Sequence, residues 1–505
     1  MALKPDDVIQ ALLAHNYFPR IARTADEFPP CFTSEDFTVD LSYALLDVER
    51  KLFSTVRTSA TKFDLVPRRM EIPHPIAFGR IVSEIGNGWS QIRHITTNKS
   101  SVLRPRPHSD GRLISMEDAS RRHRQAFSRR YAVTVDIANF FPSLYTHSIP
   151  WALMGRERAK ANRSQSEFAN RLDTVFRNAQ RGETTGVPIG PGTSAIAAEI
   201  VLAHVDQRLS RCFDYVRFVD DFRYLARTNE EAVAFIRAVD ASLRDLNLTI
   251  NSRKTTITPL PVVARPSWIR RLAAAGPVTS RREALDLVDL AIELDIENPA
   301  DSVIKYAMTQ LESWVDADLA GDDKIARVDN ELIDRLLALA YVRPIVIPHL
   351  CRMLIRTEVA ITSSRKSALH ELLMEHSLAG RPDVVAWLLF VVVRRAMKLR
   401  RETIDTLIEV EDSLVQSLLH HTNANRRVEE RAKALASTLA HEIDADEHWL
   451  LWYTLAQRGV ELPSTEWLDE LEPLLAAGVQ FVKPHPKSPG VRRSGGGGGG
   501  TSADG

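Results

Sequence analysis

Arg217-Phe218-Val219-Asp220-Asp221-Phe222 is the stretch on which the reading of this chain turns. Residues 215–219 and 222–226 are aromatic and β-branched runs separated by two residues, the spacing of a tight hairpin with Asp220 and Asp221 in its turn. Such a turn favours Asn-Gly or Asp-Gly because one or both central residues need positive φ, so Asp-Asp is strained there. Strain of that kind collects at functional sites. An isolated Asp-Asp pair reads as a solvated surface turn, and only its company in the chain changes that reading.

The company begins some eighty residues earlier. In residues 131–137, Val133, Val135 and Ile137 alternate with Thr134 and Asp136, so the Asp136 carboxylate faces away from the apolar side of a strand. An edge-strand Asp facing water would be the plain interpretation, but residues 139–147, with Phe140, Phe141 and Tyr145, are too aromatic for an ordinary loop. Two carboxylate-bearing segments meeting at one sheet edge can hold two Mg²⁺ ions, which prefer a few hard oxygen ligands plus water and substrate phosphates. Such a pair suits in-line phosphoryl displacement.

The order of four motifs carries a family resemblance. Asp136 with Phe141, then Gly186 to Ser194 running into Glu199, then Phe218-Val219-Asp220-Asp221, then residues 246–254 ending in Lys254, resembles the successive palm motifs of a reverse transcriptase. Residues 140–151 are similar to the bacterial abortive-infection (Abi) and wider defence-associated reverse transcriptases, and the likeness spans roughly residues 10–260. It implies DNA synthesis from dNTPs with two Mg²⁺ ions held by Asp136, Asp220 and Asp221, and Lys254 as general acid toward the leaving pyrophosphate. Phe141 takes the place of the steric gate against a 2′-hydroxyl. Gly190 belongs to the substrate loop, whose glycines permit close backbone approach. Ile189 stands where reverse transcriptases commonly carry Gln, which removes a polar contact to the nucleotide. Residues 103–112 resemble the fingers hairpin, with Arg104, Arg106 and Arg112 gripping the triphosphate; Arg forks well onto phosphate oxygens. The resemblance also implies possible untemplated synthesis primed by a tyrosine of the protein itself, with Tyr17 the leading candidate. Conventional RNA-templated synthesis on a bound noncoding RNA is the alternative, and an idle RNA-binding scaffold the rival of another class.

Composition agrees with a globular chain of two or three domains: 505 residues, 44% hydrophobic, net charge zero. The charge is uneven, since residues 51–181 hold 23 Lys or Arg against 10 Asp or Glu, a local positive field for phosphates. Cys31, Cys212 and Cys351 are odd in number and far apart, which fits a reducing cytoplasm and no cysteine-bound metal. The longest apolar run, residues 384–393, is about half of what a bilayer span requires.

Four segments are expected. Residues 1–50 form an N-terminal cover, and 51–260 the fingers and palm, with a proline-interrupted, short-stranded stretch over 63–112 and a basic helix carrying Arg121, Arg122, Arg124, Arg129 and Arg130. Residues 261–480 form an all-α region of HEAT-like repeats that supports a homo-oligomer, with helices read at 331–341, 345–355, 365–376, 382–397, 403–420, 428–443 and 448–458. Ser280 and Glu283 make a capping box at the start of this region. Residues 481–505, with six consecutive glycines, read as a flexible tail. The fold class is α+β, a reverse-transcriptase fingers and palm followed by helical repeats.

Overall fold

The computed structural model describes residues 3–19, 27–61, 67–108, 111–114, 128–261, 266–299, 301–319, 330–357, 359–439, 441–463 and 466–484. Helix α1 (Pro5–His15) opens the chain and packs against α2 (Pro75–Asn87). Between them lies a two-stranded antiparallel hairpin, β1 (Thr55–Thr61) and β2 (Pro67–Pro73). The stretch expected to be short-stranded turns helical after Pro73, because Pro75 opens α2 at a position where a missing N–H costs nothing and Ile81, Val82 and Ile85 recur on one buried face. Those prolines punctuate elements and do not mark more strands.

The central sheet is antiparallel, in the order β4 (Tyr215–Phe218), β5 (Asp221–Ala226), β3 (Tyr131–Asp136), β6 (Thr256–Pro259). The alternation read in 131–137 holds: Val133 and Val135 are buried opposite Tyr224 and Phe222, while Thr134 and Asp136 share the other face with Arg223 and Asp221. Helix α3 (Gly192–Leu209) is buried along most of its length, and α4 (Asn229–Arg244) lays Phe235 on Tyr224 with ring centroids 4.6 Å apart.

From Ser267–Ala274 to Glu472–Ala476 the described chain is helical. Two of the expected helices are broken. Residues 403–420 divide into Arg401–Leu407 and Ser413–Leu419, because the Asp412 carboxylate accepts from Leu414 N and Val415 N at 3.0 Å each and starts a new helix. Residues 428–443 divide into Asn425–Ala436 and Glu442–Ala445.

This helical region grips the N-terminal half. Arg50 pairs with Asp446 at 3.0 Å and Glu470 at 2.8 Å, and α5 (Pro382–Arg394) receives Thr61 N and Oγ1 on Asp383 at 2.7 and 3.0 Å. The segment expected to be a flexible tail is docked at its start, since Phe481 is buried, Val482 bridges to Phe32 and Lys483 meets Asp36 at 2.6 Å. Its glycine run lies outside the described residues, as does the basic stretch 121–124, whereas Arg129 and Arg130 directly precede β3 without helical structure. No helix among the described residues is long and apolar enough to cross a membrane.

Candidate active site

Asp136 ends β3 and stands directly opposite Asp221, the first residue of β5. Cross-strand partners point their side chains the same way, so two carboxylates are forced together where like charges repel. The turn differs by one residue from the sequence reading. Phe218 pairs with Asp221, which leaves Val219 and Asp220 as the central residues, and positive φ falls on Val219 at 57°. A positive φ at the first central residue is the type II′ pattern, and for a β-branched side chain it is a true outlier.

Asp220 is tied to the end of β3 by Ile137 N, which donates to its carbonyl at 3.2 Å. Segment 249–251 closes the third side: Ala138 N donates to Thr249 O at 2.9 Å and Asn251 N to Asp136 O at 2.7 Å. The Asp136 carboxylate accepts from Asn251 Nδ2 at 3.1 Å and Lys254 Nζ at 3.2 Å. Asp221 accepts from Arg223 at 2.9 Å through Oδ2, while its buried Oδ1 has no protein donor among the described residues. Burial raises the carboxyls of both Asp220 and Asp221 above the ordinary range, and repulsion from Asp136 adds to this; Lys254 opposes it at both, and Arg223 at Asp221.

Among the described residues no three His, Cys, Asp or Glu side chains close a metal cage by themselves. The donor set still fits a hard divalent cation that takes part of its shell from water and substrate phosphate: clustered carboxylates disfavoured in the charged state, with one orphaned oxygen. Asp136, Asp220, Asp221 and Lys254 are thus brought together as expected. Sequence reading did not single out Asn251 or Arg223, although Asn251 lies in the quoted final motif and Arg223 follows Asp221 at the i+2 spacing of one strand face.

The other expected residues lie in separate surroundings. Phe141 is half-buried beside buried Phe140, and its carbonyl accepts from Val187 N at 3.0 Å, which fastens it to the glycine loop. The backbone approach at Gly190 is to the protein's own chain and not to an open substrate path, as a Cβ there would meet Pro19 at 2.9 Å and Met70 at 3.3 Å. Residues 106–108 and 111–113 face each other in a ladder, with Arg106 N donating to Leu113 O and His108 N to Arg112 O at 2.9 Å each; within it Arg106 is exposed and Arg112 half-buried, and Arg104, just before it, is also half-buried. Tyr17 is misplaced for priming. Its ring is fully buried, stacked on Phe78 at 4.2 Å, and its hydroxyl donates to Pro73 O at 2.5 Å, so reaching the carboxylates would require opening the core.

Residues 84–268 match the family model described as reverse transcriptase (RNA-dependent DNA polymerase), a span that contains all four clustered residues. The chain therefore carries a reverse transcriptase domain and is a nucleotidyltransferase of the RNA-directed DNA polymerase type. Among solved structures it is similar to apo telomerase from Candida Tropicalis at a TM-score of 0.31 and 10% identity, covering 81% of this chain and 69% of that one. No curated protein matches it.

Proposed function

We propose that this chain is a defence-associated reverse transcriptase of the abortive-infection type, which builds DNA from dNTPs at the end of β3 and β5. The observation that carries the reading is the register of Asp136 opposite Asp221, with Asp220 in the adjoining turn. When bound, two Mg²⁺ ions would supply charge neutralisation for the attacking hydroxyl and the leaving pyrophosphate. Asp136, Asp220 and Asp221 would hold them, with the orphaned Oδ1 of Asp221 as one available ligand atom. Lys254, 62% exposed and paired with Asp136, is free to exchange that partner for a departing phosphate and give it a proton. Phe141 closes the sugar side against a 2′-hydroxyl.

Untemplated synthesis is favoured over copying of a bound noncoding RNA by Ile189, whose side chain has no hydrogen-bonding group and whose carbonyl accepts from Glu71 N at 3.0 Å. Self-priming then needs a tyrosine other than Tyr17. Tyr43, half-buried with its hydroxyl 3.4 Å from Asp6, keeps surface access in the N-terminal cover. An idle RNA-binding scaffold is disfavoured, because three clustered carboxylates repel phosphate unless a metal neutralises them. The helical region is proposed as a HEAT-like stack that joins copies of the chain: Ile296, Val342 and Leu378 expose apolar side chains at the ends of three of its helices. We assign the enzyme to the cytoplasm, in keeping with three cysteines that lie far apart in the sequence.

The deciding experiment is a primer-free incubation with each labelled dNTP, with and without Mg²⁺ and with and without RNase. Mg²⁺-dependent label that survives RNase and stays with the protein under strong denaturant is expected. Label requiring intact RNA would favour the templated reading, and no incorporation of any dNTP would reject polymerase function.

A further inference from the structure

The buried side of the catalytic hairpin holds a charge that the carboxylate cluster does not use. Arg217 is completely buried, and its guanidinium forks onto Glu199 at 2.8 and 3.0 Å. It also meets Asp206 through Nη2 at 2.6 Å and Nε at 3.1 Å. Both carboxylates belong to α3, the helix that follows the glycine loop. Asn98 and Tyr215 donate to Asp206 as well, which spreads the surplus negative charge of one cation facing two anions. The Arg217 main chain reaches the fingers side, donating to Ser100 O at 2.7 Å and accepting from Val102 N at 2.9 Å. The guanidinium also lies over the Phe222 ring at 6.0 Å, and its Nη1 donates to the carbonyl of Val219 at 2.7 Å.

Val219 is the residue at positive φ, in a conformation that β-branched side chains avoid unless their surroundings over-determine it. Turning its peptide toward an ordinary φ would pull its carbonyl from the guanidinium and swing Asp220, the next residue, away from Asp136. We propose that Arg217 is a positioning residue that clamps the Val219 carbonyl from beneath and thereby fixes the direction in which Asp220 faces the cleft, with Glu199 and Asp206 anchoring the clamp to α3. This rests on the reading of Asp220 as a metal-binding carboxylate. A plain core ion pair would also be buried and would also matter for stability, so the test must read the metal site.

Mn²⁺ binding is measured by electron paramagnetic resonance with a non-reactive dNTP analogue present, beside dNTP incorporation across Mg²⁺ concentrations. The proteins are wild type, Arg217→Lys, Val219→Gly and the double variant. Lysine keeps the charge but lacks the fork, so Arg217→Lys is expected to weaken Mn²⁺ binding and raise the half-saturating Mg²⁺ by about tenfold or more, the scale of a lost charged hydrogen bond. Val219→Gly alone should stay within about twofold of wild type, since glycine rests at this φ without help. For the same reason the double variant should recover to within about threefold of Val219→Gly. Lower melting temperature with unchanged metal binding, or a metal defect that glycine does not rescue, would overturn the clamp. Should Arg217→Lys fail to fold, Glu199→Gln, which loosens one arm of the fork, is compared in the same two backgrounds with the same expected pattern. Wild type that binds Mn²⁺ but incorporates no nucleotide would reject the polymerase reading while the resonance data still decide the clamp. Wild type that binds no Mn²⁺ would reject both.

Discussion

Asp220 and Asp221 are neighbours in the chain but occupy different structural positions, one in the turn and one pairing within β5. Burial and the facing Asp136 disfavour ionisation of both, so the apo site holds charge against an electrostatic cost. Asp220→Asn is therefore expected to reduce dNTP incorporation at least about a hundredfold, the scale of losing a principal electrostatic group, while thermal stability stays level or rises. Radiolabel incorporation and thermal denaturation on one preparation check this, and wild-type activity in the folded variant would remove Asp220 from the metal site. At Phe141, truncation to Ala should admit ribonucleotides, lowering dNTP over rNTP selectivity by about tenfold or more if shape alone excludes the 2′-hydroxyl. An unchanged ratio in a folded variant would make Phe141 a packing residue. The three carboxylates were legible because each breaks an apolar alternation. The turn register was not, because no local preference puts valine at positive φ; only the Arg217 contact, brought from a residue facing the opposite way, does so.

At the scale of elements, helices beyond Ser280 were readable where an apolar stripe recurs at helical spacing, as in Ala284, Leu287, Val288, Ala291 and Leu294, whereas α2 was not, because the prolines around it read as strand breaks. Breaks inside such stripes were not, as at Asp412, whose carboxylate turns inward to cap. Nor does any stripe disclose which carboxylate docks α5 on β1. Asp383 does so, 5% exposed, accepting from Thr61 at 2.7 and 3.0 Å, and burial pushes its carboxyl up to about 6 despite those bonds and the helix N-terminus. A raised folded-state value means that the folded protein holds the proton more tightly than the unfolded chain, near 4. The cost of the ionised carboxylate is thus fully present above pH about 6 and disappears as pH falls toward about 4, a span of about 3 kcal/mol. Urea unfolding at pH 4.5 and 7.5 should find Asp383→Asn less pH-dependent than wild type by that order. Equal pH dependence in the two proteins would mean that Asp383 is not desolvated at this junction.

Across the whole molecule, the two ends of the described chain meet over one aromatic cluster that no local reading connects. Tyr17 lies between Phe78 and Trp449, with centroids at 4.2 and 6.1 Å, and Phe481 closes the group edge-on at 5.8 Å from Tyr17 and 5.1 Å from Trp449. The segment after α1, helix α2 and the C-terminal helical region therefore share one core and are expected to unfold together. From the same cover, Asn16 O accepts from Gly192 N at 2.7 Å, Asn16 Oδ1 accepts from Leu113 N at 2.9 Å, and Pro19 rests against Gly190. The aromatic closure thus supports both the glycine loop and the ladder that carries Arg106 and Arg112. Phe481→Ala, deep in this cluster, is expected to cost about 3–5 kcal/mol in a single cooperative transition. Near the transition's onset it should raise the dNTP concentration needed for half-maximal incorporation more than it lowers the maximal rate, if the ladder holds the nucleotide as proposed while the carboxylates sit on the central sheet. Denaturant unfolding and nucleotide titrations of the purified variant check both parts. A loss below about 1 kcal/mol would mean that the ends do not lock one another, and a fall in maximal rate alone would mean that the cover acts on the hairpin and not on the loop.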